Sequence, residues 1–411
     1  MELKIKYQYT YFIYPYVISE NKYNKYLYKL LSNKNCMVKF FEKEKDFDLY
    51  TYFLPKIKEF MFQNFEFNKE KIRSFEGFNK EMQASILSKY PVTIFEYNLG
   101  NDMQGKAGEE EGIFFHMQKM ELICFNTGIC FLVMKTNIED SKDFRDVLDF
   151  NYKFRDIKSE LNGLKKYENI RLQTATFSDV RKLTDLIKEL TGKIEDAKAL
   201  NIDTNRFLTY AYTCIEQDAW SDDEKFKDIE FEFFKYANIF PSSYKSNFDK
   251  RHMEILSKWK FIRTGFTKEG VGLLTSGIDI HNYTKLPYVY ENQYLYTYIL
   301  VQYQKIYLKK LEKEAKQKSM TVSTRDKFIK FTKELWIGEV TNDDVGTNIY
   351  KKTRGVCEVS KLYEEVKNKF DVAYKQLNIE KVSKVNKIIL VILGISLMLN
   401  IINFVTLLKM M

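Results

Sequence analysis

The chain has 411 residues, enough for two or three domains with substantial cores, and a net charge of +9 that is modest for that length. Its five cysteines (Cys36, Cys124, Cys130, Cys214 and Cys357) are odd in number, scattered and without a C-x-x-C pair. That usage speaks against a disulfide framework or a zinc site and fits a reducing compartment.

The first element, Leu3 to Ile18, is rich in β-branched and aromatic residues and reads as a strand, with no cleavage site of the signal-peptide kind. Asn21 to Leu31 has helical spacing, and Met37 to Phe41 is a second strand candidate. Lys69 to Tyr90 reads as a helix closed by Pro91. Leu99 to Gly108 is the most glycine-rich stretch, but it lacks phosphate-loop spacing and runs into Glu109, Glu110 and Glu111, so it reads as a loop. Two apolar runs then flank Asn126-Thr127-Gly128 between Ile113 and Lys135, the signature of a hairpin. A helix from about Lys142 to Leu161 closes this block, residues 1–163.

Residues 164–286 form a second block. Arg206 to Ile215 is a strand candidate, and Ser221 with Glu224 forms a capping box for a helix to about Tyr236. Trp259 to Thr264 and Val271 to Thr275 make a second hairpin across Lys268-Glu269-Gly270. Strand, helix and hairpin recur in one order, which suggests two related halves.

Residues 287–387 change to helix. Tyr288 to Lys316 and Thr324 to Ile337 precede a helix from Ile349 to Leu377. In it Val359, Tyr363, Val366, Phe370, Ala373 and Leu377 alternate spacings of four and three, a seam for a coiled coil or a helical bundle. The seven tyrosines from Tyr288 to Tyr307 cover several helix faces and so define no stacking platform for bases, which leaves nucleic-acid binding unsupported.

The chain then reads IILVILGISLMLNIINFVTLL from Ile388 to Leu408, with no charge and no proline. At about 1.5 Å per residue this run spans about 31 Å, the hydrocarbon thickness of a bilayer. Lys381, Lys384 and Lys387 precede it, suited to lipid headgroups, and the lysine excess on that side places the N-terminal body in the cytoplasm. Between Lys351 and Lys387 ten Lys or Arg residues oppose five Asp or Glu. Within the run Ser396, Asn400 and Asn403 share one face, and Thr406 continues the line. Amides in hydrocarbon need partners, so the stripe points to self-association or to the wall of a pore.

The three histidines (His116, His252 and His281) stand far apart, and no H-E-x-x-H, G-x-S-x-G or Walker motif occurs. The sequence therefore names no catalytic residue, cofactor or metal ligand. A membrane-tethered enzyme would need a cleft gathering residues such as His116, Glu121, His252 or Asp279.

The expected class is an α+β cytosolic region of two α/β blocks with hairpins, then a helical region and one C-terminal transmembrane helix. This layout resembles that of CorA-type cation transporters over about the last 120 residues, the stalk being Ile349 to Lys387 and the membrane helix Ile388 to Leu408. The resemblance implies a cation-conducting oligomer fed by a cytosolic domain. The family's second membrane helix and Gly-Met-Asn loop are missing, and Met398-Leu399-Asn400 does not replace that loop, so Mg²⁺ selectivity does not carry over. CorA-like proteins without that signature include membrane effectors that sense a nucleotide messenger. The expected partners are thus the lipid bilayer, further copies of the chain, and a nucleotide or protein ligand.

Overall fold

The computed structural model describes residues 3–62, 68–100, 103–107, 112–138, 142–157, 170–174, 179–192, 200, 202–203, 205–246, 248–316 and 322–410. The chain divides into two compact units, Met1–Tyr307 with Ile337–Val359, and Leu308–Trp336 with Ser360–Met411.

Among the described residues of the first unit a 12-stranded sheet forms. Its strands are β1 (Ile5–Val17), β2 (Cys36–Val38), β3 (Val92–Tyr97), β4 (Met103–Ala107), β5 (Ile113–Phe125) and β6 (Ile129–Asn137). They continue with β7 (Arg171–Gln173), β8 (Arg181–Lys182), β9 (Leu208–Ile215), β10 (Glu254–Leu256), β11 (Ile262–Phe266) and β12 (Gly270–Ser276). Side by side the order is β10-β11-β12-β9-β1-β6-β5-β4-β7-β8, while β3 joins the far end of β5 and β2 joins β3.

Between β1 and β3 in sequence come α1 (Tyr23–Ser32), α2 (Phe47–Tyr52), α3 (Pro55–Met61), α4 (Lys69–Glu76) and α5 (Lys80–Leu87). Then α6 (Phe144–Arg155) follows β6, α7 (Leu183–Thr191) follows β8, and α8 (Asp223–Asn238) follows β9. A helical run after β12 consists of α9 (His281–Thr284), α10 (Leu286–Val289), a π turn at Tyr290–Tyr294 and α11 (Leu295–Lys316). The last elements are α12 (Val322–Lys330), a π turn at Phe331–Leu335, α13 (Asp344–Val356) and α14 (Val359–Met410).

The first strand explains the architecture. From Gln8 onward every residue of β1 is buried, because helices cover both faces of the sheet and the usual in–out alternation is lost. Phe12 stacks on Phe154 of α6 at 4.0 Å, and Thr10 donates its hydroxyl to Asn151 of the same helix at 2.9 Å. On the other face Tyr9 stacks on Tyr212 of β9 at 5.4 Å, and Tyr210 stacks on Tyr290 at 4.2 Å. A fully buried ring of this kind contributes roughly 1.5–3 kcal/mol.

Both sequence hairpins are present: β5 pairs β6, and β11 pairs β12. Gly128 has φ +82, and a Cβ there would lie 1.9 Å from the Ile18 carbonyl oxygen, so the first turn requires glycine. The two blocks share the sheet through the antiparallel pairs β1–β9 and β4–β7. Their element order recurs, but β6 runs antiparallel to β1 whereas β12 runs parallel to β9.

Several local expectations change. The helix expected over Lys69 to Tyr90 is two, because Gly77 ends α4 and the Asn79 side chain caps α5, accepting from the Met82 amide at 2.8 Å. The stretch read as a glycine loop holds β4, where a Cβ on Gly105 would meet the Phe115 ring at 2.1 Å. Glu109, Glu110 and Glu111 lie outside the described residues, as do 158–161 of the helix expected to reach Leu161. Asp222, one residue after Ser221, caps α8 by accepting from the Lys225 amide at 2.8 Å. Pro287 opens α10 inside a run that already begins at His281. The helix expected over Ile349 to Leu377 breaks between α13 and α14 at Glu358, which has φ 53.

In the second unit α14 packs its first turns on α12 and the residues that follow it. Tyr363 stacks on Trp336 at 4.0 Å and Phe370 on Phe328 at 4.5 Å. An ion pair joins Lys369 to Glu312, and Lys327 reaches Glu314 at 3.3 Å.

Candidate functional site

A cleft of about 730 Å³ opens in the first unit beside β10, β11 and β12. One wall is the β10–β11 connection with Lys258, Trp259, Lys260 and Phe261; facing it are Asp48, Thr51 and Tyr52 of α2. Leu273 of β12, Asn282 of α9, Leu286 of α10 and Tyr294 of the π turn are buried lining residues. Asp343 and Ile349 complete it from the start of α13.

The sequence folds this way because buried tyrosine hydroxyls hold the helical run against the sheet. Tyr9 donates to the Pro287 carbonyl at 2.7 Å and Tyr210 to the Tyr290 carbonyl at 2.9 Å. Tyr212 donates to the Asn282 carbonyl. Burial pushes all three phenols well above their ordinary pKa, so they act as neutral donors.

Asn282 is the polar group on which the cleft turns. Its amide nitrogen donates to the Ser276 carbonyl at 2.9 Å and to the Phe261 carbonyl at 3.4 Å. Two carbonyl neighbours fix the amide orientation, and Oδ1 is left buried without a partner. Around it the wall is mainly apolar, with Trp259 54% exposed at the mouth. Lys258 is paired with Asp344 at 2.6 Å, and Asp343 accepts from the Gly346 amide at 2.6 Å. Asp279 accepts from the His281 amide at 2.9 Å. An apolar recess with an aromatic mouth suits a compact, partly aromatic ligand.

The scattered candidates for an enzyme do not meet. Asp279 and His281 line the cleft, but His116 and Glu121 stand on β5 and His252 precedes β10. Those two strands are six places apart in the sheet order, roughly 29 Å at the usual strand spacing. Among the described residues no group of three His, Cys, Asp or Glu side chains is placed to hold a metal ion.

Glu121 has a different role, which no local spacing announced. Only 1% exposed, it accepts from Lys39 at 2.7 Å and pairs with Lys119 at 3.1 Å; Lys39 also reaches Glu96 at 3.2 Å. Burial pushes its carboxyl up, but the two lysines outweigh that and hold it below the ordinary range. All five cysteines are buried, and burial raises the Cys36 thiol to about 12 and that of Cys214 to about 11.

The other sequence candidates lie on α14. Val359, Tyr363, Val366 and Phe370 are buried and Ala373 is half-buried, while the Leu377 side chain lies outside the described residues. Lys381, Lys384 and Lys387 are exposed, and so is every residue of Ile388 to Leu408. This is a helix long and apolar enough to cross a membrane, and its apolar stretch is exposed with respect to the other described residues. Thr406 turns its hydroxyl back on its own helix, to the carbonyls of Ile402 at 2.6 Å and Asn403 at 3.0 Å. Ser396, Asn400 and Asn403 point out along the exposed helix.

Set against protein-family models, curated proteins and solved structures, the chain matches none.

Proposed function

We propose that this protein is a single-pass membrane protein, anchored by its C-terminal helix with the α/β unit on the cytosolic side. In this reading it is a non-enzymatic, oligomeric effector or scaffold that senses a ligand or partner and acts at the bilayer. The single supporting observation is the bare helix. Twenty-one consecutive uncharged residues from Ile388 to Leu408 are all exposed among the described residues. Soluble proteins rarely expose a contiguous apolar surface above a few hundred Å², so lipid is the natural cover. The lysines at 381, 384 and 387 favour the orientation with the body in the cytosol.

The ligand site is the cleft at Asn282 and Trp259. A nucleotide base suits its aromatic mouth; a peptide side chain is the competing occupant. The CorA-like reading, a cation-conducting oligomer, draws on the polar line of Ser396, Asn400 and Asn403, and ion flux into liposomes tests it. A tethered enzyme has less support, since its candidate residues stand on separate strands.

Fractionation tests the main reading. The full chain should stay in the membrane pellet through an alkaline carbonate wash, and a version ending at Lys387 should move to the supernatant. Full-length protein in the supernatant overturns it.

A further inference from the structure

The C-terminal half of α14 is exposed all round among the described residues, and its polar side chains gather along one face with the spacing of a helix–helix seam. Ile379, Val382, Ile389, Leu393 and Leu407 lie along it, all more than 45% exposed. Between them on the same line stand Asn386, Ser396, Asn400 and Asn403, which are exposed too. The nine positions alternate steps of three and four from 379 to 407, about 42 Å of helix. The buried seam ends its described side chains at Ala373, and the exposed one takes a different phase on the same unbroken helix.

Resting on the membrane-spanning reading above, we infer that α14 pairs along this face with α14 of a second copy of this chain, parallel and in register. The polar side chains select that partner. An amide offers a donor and an acceptor together, so an asparagine facing the same asparagine satisfies both. In hydrocarbon no water replaces that partner, which makes an unpaired amide costly. Copies inserted from one side of the membrane run parallel, and only the in-register parallel arrangement sets Asn400 beside Asn400 and Asn403 beside Asn403. A polar residue at a seam position fixes register in this way in coiled coils. The remaining uncharged polar residue of the membrane run, Thr406, is satisfied by its own helix and lies beside this line.

Cysteine cross-linking of the full chain in native membranes tests the pairing. The five native thiols are buried, and the unsubstituted chain serves as control. Ile389→Cys, Leu393→Cys and Asn400→Cys should each give a dimer band under mild oxidation, while Val391→Cys, Met398→Cys and Ile402→Cys, on the far face, should give about tenfold less. In the Ile389→Cys background, adding Asn400→Leu with Asn403→Leu should lower the dimer yield about tenfold. Equal yields on both faces, or none on either from protein in the carbonate-washed pellet, overturn the pairing and leave the anchor intact. A product in the supernatant overturns both. Dimer yield unmoved by the leucine pair sinks the role given to the amides.

Discussion

Glu121 and the Asn400–Asn403 pair are both polar groups set in apolar surroundings, and the chain treats them in opposite ways. Around Glu121 it folds two lysines to within 3.1 Å and closes the sheet over the result. The two asparagines are exposed among the described residues, although they project from the most apolar stretch of the sequence. The enclosed carboxylate finds its counterparts within the fold, whereas the two amides stand open on the surface of the helix.

Breaking the enclosed group should cost most. Glu121→Ala leaves a void and strips the half-buried Lys39 of one of its two carboxylate partners, Glu96 remaining, so the expected loss is about 2–3 kcal/mol. Urea unfolding of the full chain in detergent measures it, and a loss below about 1 kcal/mol would erase the contrast. Asn282→Leu is the intermediate case. It removes two donated bonds but also the orphan acceptor, so the expected loss is about 1–2 kcal/mol, together with loss of any ligand that protects the cleft against proteolysis.

Acid sharpens the comparison further. The folded pKa of Glu121 lies below its ordinary value of 4.5, so its stabilisation is complete above that pH and disappears as pH falls through the folded value. Glu121→Gln should therefore flatten part of the acid limb of a stability-against-pH curve; an unchanged limb would assign it to other carboxylates. Asn400→Leu should do least, shifting the unfolding of the detergent-solubilised monomer by no more than about 0.5 kcal/mol. A larger destabilisation would mean that the amide has a partner inside its own chain.

How much of this could be read in advance depended on the range of the interactions. Both hairpins were legible, because their strands and turns are neighbours in sequence and Gly128 marks one of them. The spacing from Val359 to Leu377 read as a seam, and Val359, Tyr363, Val366 and Phe370 are buried, but spacing did not tell that Trp336 and Phe328 would stack on Tyr363 and Phe370. The break at Glu358 escaped notice because the flanking residues keep helical spacing while a single left-handed residue interrupts them. The cleft was invisible for a different reason. Asp48, Trp259, Asn282 and Asp343 come from four distant segments, and only the sheet order and the tyrosine layer bring them together. Glu121 and Lys39 likewise meet only through the pairing of β5 with β3 and of β3 with β2, which no window of sequence displays.

The hydroxyl of Tyr212 has a mechanical consequence. It ties the backbone of Asn282 to β9, a strand flanked on both sides, and Tyr9 and Tyr210 pin the next turns to β1 and β9 in the same manner. The wall of the cleft at Asn282 is thereby tied to the interior of the sheet. A ligand bound as proposed would meet a wall already in place, which favours molecules shaped to the recess.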